Sequence, residues 1–165
     1  MDEAKSGRMK HVVLGIDPGR NKTGWAFASC EGELVLSGIV PTEVAGAFLE
    51  TLDRPVGEWE EKFAAWTRER NFSLSDAKLE YVALGDGTGS HEIASQLERF
   101  NLKTVLVNER GTTLAARELY WRIHRPAWWQ RCLPHFLRLP RRDVDDLAAW
   151  EIVLRSLATP FQRGK

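Results

Sequence analysis

Cysteine is scarce. Cys30 and Cys132 are the only two in 165 residues. They give neither a metal-ligand spacing nor a disulfide framework, so free thiols in a reducing compartment are expected. Excess charge is also missing: 23 Lys and Arg balance 23 Asp and Glu, for a formal net charge of +0. A globally basic nucleic-acid binder is therefore excluded, and any basic surface must be local. No apolar run approaches the length of a membrane span. Met1 to Lys10 is polar and charged and lacks the apolar stretch of a signal peptide, which makes the cytoplasm the expected compartment and no membrane the expected partner. No internal repeat is visible, and no serine, histidine or cysteine arrangement argues for a covalent intermediate. What is present is ordinary for one globular domain: 43% apolar and 28% charged residues, with enough chain to bury a core.

The chain divides into a tail over residues 1–9, a domain over 10–159 and a tail over 160–165. His11 to Ile16 is a short Val-rich run closed by Pro18-Gly19, which predicts a buried strand. Thr23 to Cys30 predicts a second strand, Glu31-Gly32-Glu33 a turn, and Leu34 to Val40 a third strand. Val44, Ala45, Phe48, Leu49 and Leu52 lie at helix spacing until Pro55. Trp59, Phe63 and Trp66 then carry a helical pattern from Glu58 to Arg70. Leu79 to Leu84 predicts a fourth strand ending at Gly85-Asp86-Gly87, Ser90 to Phe100 a helix, and Thr104 to Val107 a fifth strand. Thr112 to Ile123 predicts a helix, Arg125 to Arg142 an irregular segment, and Asp143 to Leu157 the last helix. An antiparallel three-strand meander followed by alternating strands and helices predicts an α/β fold: a five-stranded mixed sheet with helices on both faces.

Sites in such folds form outside the carboxyl ends of the strands. Asp17, Asp86 and Glu109 each follow a predicted strand. Carboxylates brought together repel unless a cation joins them, and Mg²⁺ or Mn²⁺ prefers such oxygen ligands. Asp17, between an apolar strand and a glycine turn, also reads as a turn aspartate bonding nearby amides. Glu109 also reads as the approach to a helix capped by Thr112 or Thr113. Asp143, Asp145 and Asp146 open the last helix. A capping box accounts for Asp143 and Asp146 and leaves Asp145 as the preferred ligand, with Asp146 second. Asp86 reads either as a turn residue or as a further ligand.

Gly15-Ile16-Asp17-Pro18-Gly19-Arg20-Asn21-Lys22-Thr23-Gly24-Trp25-Ala26 resembles the opening of the YqgF family, also called RuvX, relatives of the RuvC Holliday-junction resolvases. Asn108-Glu109-Arg110-Gly111-Thr112-Thr113-Leu114-Ala115-Ala116-Arg117 is similar to that family's Asp-Glu-Arg-x-Ser/Thr-Thr-x-x-Ala segment. Val144-Asp145-Asp146-Leu147-Ala148-Ala149 is similar to its final Val-Asp-x-x-Ala-Ala helix. The resemblance implies a ribonuclease H-like fold with a five-stranded sheet and a divalent metal held by Asp17, Glu109 and Asp145. It also implies phosphodiester hydrolysis in Holliday-junction DNA or precursor 16S ribosomal RNA. Cleavage at two symmetric strands would favour a homodimer. The chain departs from the family at Gly85-Asp86-Gly87, where Gly-Leu-Pro is usual, and at Asn108, where the family has an acid. The span from Pro41 to Asp76 is long, and Arg125 to Arg142 is unusual.

Between Leu114 and Arg142, seven arginines are opposed only by Glu118, and Trp121, Trp128, Trp129 and Phe136 are interleaved with His124 and His135. Arginine grips phosphates and aromatic faces stack unpaired bases. Lys22, Arg110, Arg125, Arg131, Arg141 and Arg142 are the phosphate-contact candidates. The competing reading is that the tryptophans, Trp121 above all and Trp128-Trp129 as well, cover the core while the arginines are solvated; Trp128-Trp129 also read as a protein interface. Two rival functions stand beside the nuclease. One is a non-catalytic nucleic-acid-binding or scaffold protein, motivated by Asn108 and Asp86. The other is an ATP-binding domain of the sugar-kinase and actin type, whose opening strand also ends in a Gly-Ile-Asp turn but which needs two lobes.

Overall fold

The structure is a computed structural model and describes residues 10–134 and 137–159. Both expected tails, and His135 and Phe136, lie outside the described residues. Six strands form one sheet: β1 (Lys10–Pro18), β2 (Lys22–Ser29), β3 (Leu34–Pro41), β4 (Thr67–Arg70), β5 (Ala77–Gly85) and β6 (Thr104–Val107), in the order β4-β3-β2-β1-β5-β6. β1 to β4 pair antiparallel, while β1, β5 and β6 are parallel. The sheet is therefore mixed, as expected, but it has six strands instead of five.

The sixth strand is β4, in a stretch whose spacing predicts a helix through Arg70. The helical pattern is instead spent in α2 (Trp59–Phe63), followed by a single tight turn over Ala64–Trp66. Nearly all of β3 is buried, so its outer backbone edge needs a partner. Thr67–Arg70 supplies one, with alternating burial.

The strand alternation of β1 sends Val12, Leu14 and Ile16 to one side. There they pack with Trp25, Phe27, Phe48, Trp59, Phe63, Ile93 and Leu97, which brings in α1 (Ala45–Glu50), α2 and α3 (Ser90–Arg99). The tryptophan and phenylalanine rings lie 4.6–6.1 Å apart in tilted, stacked and edge-on pairs. Val13, Ala26, Ala28 and Ala83 line the other side, under α5 (Asp145–Ala158), and α4 (Thr112–Ile123) packs against α5. Small residues on this side let α5 lie close. A Cβ on Gly15 would stand 2.1 Å from the Ala149 carbonyl, and one on Gly24 would stand 2.0 Å from the Asp145 carbonyl. Among the described residues, no helix is long and apolar enough to cross a membrane.

Candidate active site

The three parallel strands end along one edge, and their ends carry Asp17, Asp86 and Glu109. Asp17 sits in β1 opposite Gly24 of β2. Gly24 is also where the first turn of α5 rests, against the Asp145 backbone. One glycine thus lets the helix bearing Asp145 settle beside the strand bearing Asp17. Across the parallel pair, Gly85 of β5 lies opposite Val107 of β6, and Glu109 follows two residues later. Its carboxylate fills the space left by two glycines: a Cβ on Gly87 would stand 2.2 Å from Oε1, and one on Gly85 would stand 2.9 Å from Oε2. Asp86, exposed between them, accepts a 3.0 Å hydrogen bond from the Glu109 amide. The unusual Gly85-Asp86-Gly87 segment is therefore a seat for Glu109. Its spacing as a turn did not reveal this, because the fit depends on a residue 22 positions beyond Gly87.

The electrostatics follow from this crowding. Burial, then the nearby carboxylates of Glu109 and Asp145, push the Asp17 carboxyl up from 3.8 to about 7. Burial, then the Asp86 carboxylate, raises Glu109. Burial is also the main cause that raises Asp145. Glu109 Oε2 is buried and receives no hydrogen bond. A proton shared with Asp17, an ordered water or a cation would satisfy it. Hard, anionic oxygen donors with an unsatisfied buried oxygen among them fit Mg²⁺ or Mn²⁺. Among the described residues no three acid, histidine or cysteine side chains close around one point. Mg²⁺ commonly uses only one or two carboxylates, completing its shell with water and substrate phosphate.

The expected cap at Asp143 and Asp146 is replaced by two ion pairs. α5 begins without a side-chain cap, after Val144. Asp143 instead accepts a hydrogen bond from Lys22 in an exposed ion pair. Asp146 is fully buried, accepting from Ser37 Oγ at 2.7 Å and from Arg142 Nη1 at 2.7 Å and Nη2 at 3.1 Å. Arg142 also donates to Glu69 Oε1 at 2.6 Å, and His124 Nε2 meets the same oxygen at 2.7 Å. The register explains the meeting, since Ser37 and Glu69 are direct cross-strand partners. Asp146 is thus committed to a structural network, although it had been a ligand candidate. Arg142, a phosphate candidate, is committed with it.

Other expected contacts divide similarly. Lys22 faces Asp143. Arg110, Arg125, Arg131 and Arg141 are exposed, with no ion-pair partner among the described residues. Trp121 is half-buried beside the α4–α5 core, with its Nε1 donating to the Arg138 carbonyl, whereas Trp128 and Trp129 are exposed. α4 is capped by neither Thr112 nor Thr113. Gly111 stands at the cap with φ +80°, the left-handed conformation glycine allows.

Arg155 escaped the sequence reading. Its Nη1 donates to the carbonyls of Asn108 and Arg110, each at 2.9 Å, while its Nε meets Glu151. It holds the loop that presents Glu109 from both sides. Asn108 shapes the same loop, accepting from the Arg110 amide at 2.9 Å. A helix position three turns beyond Asp145 carries no sequence signal for that role. Comparison with protein-family models returns no match for this chain, and no curated protein matches it either.

Proposed function

We propose that this chain is a metal-dependent endonuclease that hydrolyses phosphodiester bonds in structured nucleic acid, on a six-stranded variant of the ribonuclease H-like fold. The observation that carries the reading is the group formed by Asp17 and Glu109 at the strand ends and Asp145 at the start of α5, with raised carboxyl pKa values and one buried oxygen lacking a protein donor. Asp17, Glu109 and Asp145 would hold Mg²⁺ or Mn²⁺, with Asp86 as a more distant carboxylate. A bound divalent ion supplies Lewis-acid stabilisation of phosphoryl charge and a more acidic water. The protein's own part is positioning. Gly24 sets Asp145 beside Asp17, Gly85 and Gly87 seat Glu109, and Arg155 fixes its loop. Arg110, exposed next to Glu109, would meet a phosphate. The resemblance to the YqgF family narrows the substrates to Holliday-junction DNA or precursor 16S ribosomal RNA in the cytoplasm, and junction cleavage would call for a homodimer.

The test is cleavage of both substrates with Mn²⁺ or Mg²⁺, wild type against Asp17→Asn. The substitution should reduce cleavage by more than about 100-fold, exceeding what loss of a residue merely supporting a metal site causes. Equal cleavage by the variant, or none by wild type, sinks the reading. Asn108 favours one second reading, a binding protein without catalysis: it stands where the resemblance expects an acid and serves to shape the loop. Metal-independent junction binding without cleavage would favour it.

A further inference from the structure

Between α4 and α5 the chain presents two large aromatic faces to solvent. Trp128 is 80% and Trp129 52% exposed, on a short 3-10 turn, Trp128–Cys132. Their exposure is held from beneath. Gln130 is buried, and its side chain accepts from the Ala127 amide at 3.0 Å. Arg138 donates to the carbonyls of Arg131 and Leu133, each at 2.9 Å, and its own carbonyl accepts from Trp121. The turn is thus tied to the α4–α5 core while its two indoles point away from it.

Charge along this stretch of chain is of one sign, with the exposed acids Glu118 and Asp143 just outside it. Residues 119–142 contain six arginines and no Asp or Glu. Arg138 and Arg142 are used internally, leaving Arg122, Arg125, Arg131 and Arg141 exposed without an ion-pair partner among the described residues. In a chain whose net charge is +0 this is a local concentration of unneutralised cation. An open polar groove of about 470 Å³, lined by Arg68, Pro140, Arg141, Arg142 and Asp143, continues from the segment towards α5. Arg141 is four residues before Asp145, so extended chain separates them by at most about 14 Å.

We propose that Trp128 and Trp129 are a stacking platform for unpaired bases, with Arg125, Arg131 and Arg141 holding the phosphates of that single strand. Indole faces stack on any base, and guanidinium groups meet phosphates without reading sequence. A protein partner would also cover tryptophan, but four exposed arginines without an ion-pair partner among the described residues, in the same stretch of chain as the indoles, favour a polyanion. That the strand continues over Asp17 and Asp145 rests on the nuclease reading above; the stacking itself does not. Such a platform selects the single-stranded arm or splayed end of a structured substrate over uniform duplex.

The measurement is fluorescence anisotropy of a labelled 12-nucleotide oligo-dT and of a blunt 12-base-pair duplex, in EDTA so that no cleavage intervenes. Trp128→Ala and Trp129→Ala should each weaken single-strand binding about 5- to 100-fold and leave duplex binding unchanged, while Trp128→Phe retains most of it. Arg131→Gln and Arg141→Gln should each flatten the salt dependence by about 0.7 in log–log slope. Unchanged melting temperatures identify these as surface effects. Alanine variants that bind oligo-dT like wild type overturn the proposal. So does a concentration-dependent dimer of the wild type that Trp128→Ala dissolves, which would assign the tryptophans to a second copy of the chain. Failure here would leave metal-dependent cleavage intact, and failure of cleavage would leave this binding intact.

Discussion

Two groups of acids flank the start of α5, and they are treated in opposite ways. Asp146 and Glu69 are buried around Arg142, with Ser37 and His124 completing the bonds. There every carboxylate has donors: the Arg142 and His124 side chains lower Glu69 against its desolvation, and Arg142 and Ser37 satisfy Asp146. One residue away, Asp145 joins Asp17 and Glu109, where no carboxylate forms an ion pair with an arginine or lysine among the described residues, the charge of Lys22 offsets the rise of Asp145 only in part, and burial drives the carboxyl pKa values up. Consecutive residues on a helix point about 100° apart, so one turn feeds both groups without mixing them. A paired cluster is finished as folded. An unpaired cluster costs stability unless a proton or a cation arrives, and a fold retains that cost where it serves a site.

The largest effect should come from breaking the finished group. Arg142→Met leaves the fully buried Asp146 without a counterion and part-buried Glu69 with His124 alone, which should cost about 3–5 kcal/mol. For a domain of this size, that corresponds to a fall in Tm of very roughly 10 °C. Denaturant unfolding of Arg142→Met against the double variant Arg142→Met/Asp146→Leu measures it, since the double variant removes the stranded charge and should recover much of the loss. A cost below about 1 kcal/mol for the single variant would show that the network is wet and replaceable.

The unfinished group should respond with the opposite sign. The unfolded Asp17 ionises near 3.8 and the folded one near 7. Between those values the folded chain holds more protons than the unfolded one, so metal-free stability falls as pH rises through that window. Raised Glu109 and Asp145 act in the same direction. Lowered Glu69 and Glu60 act the other way, but only as pH falls below about 4.5. Stability without metal should therefore peak at or below about pH 4.5 and decline by about 2 kcal/mol or more between about pH 5 and pH 7.5. Asp17→Asn should remove most of the decline and raise stability at pH 7.5, whereas Asp146→Asn should lower it. Mn²⁺ at 100 times its dissociation constant should restore about 2.7 kcal/mol to wild type and little to Asp17→Asn. A flat profile between pH 5 and 7.5, read by thermal unfolding in EDTA, would contradict the assignment.

How much of this was readable without coordinates depends on distance along the chain. The Val-rich run before Asp17, the helix spacing of Ile93 and Leu97, and the strand before Glu109 are local patterns, and those elements form as expected. β4 was lost because Thr-Arg-Glu-Arg carries no apolar alternation; its strand identity comes from the open edge of β3. Leu114, an apolar residue in the predicted helix, is 66% exposed because α4 packs through Ala116, Leu119 and Tyr120. A capping box would separate Asp145 from Asp146, but none forms. What separates the two is Arg142 and Ser37, and Ser37 is more than 100 residues away. The roles of Gly24, Gly85, Gly87 and Arg155 are likewise contacts between distant segments, with no trace in local spacing.

The smallest effect sharpens the line between the two groups at Asp86, which belongs fully to neither. It is exposed, it accepts the Glu109 amide, and its charge helps raise the Glu109 carboxyl. If it only shapes the seat, an acceptor oxygen is all it needs. Asp86→Asn keeps that oxygen and should leave unfolding stability within about 0.5 kcal/mol of wild type, while Asp86→Ala loses the bond and about 1 kcal/mol. Removing its charge also removes one cause of the raised Glu109 carboxyl, so the metal-free protein should lose slightly less stability between pH 5 and 7.5. Mn²⁺ affinity, followed by calorimetry, gives the decisive reading. A seat-shaping Asp86 leaves the Asn variant binding within about threefold of wild type. A loss of about tenfold or more, with stability unchanged, would instead make Asp86 a ligand and extend the unfinished group to a fourth carboxylate.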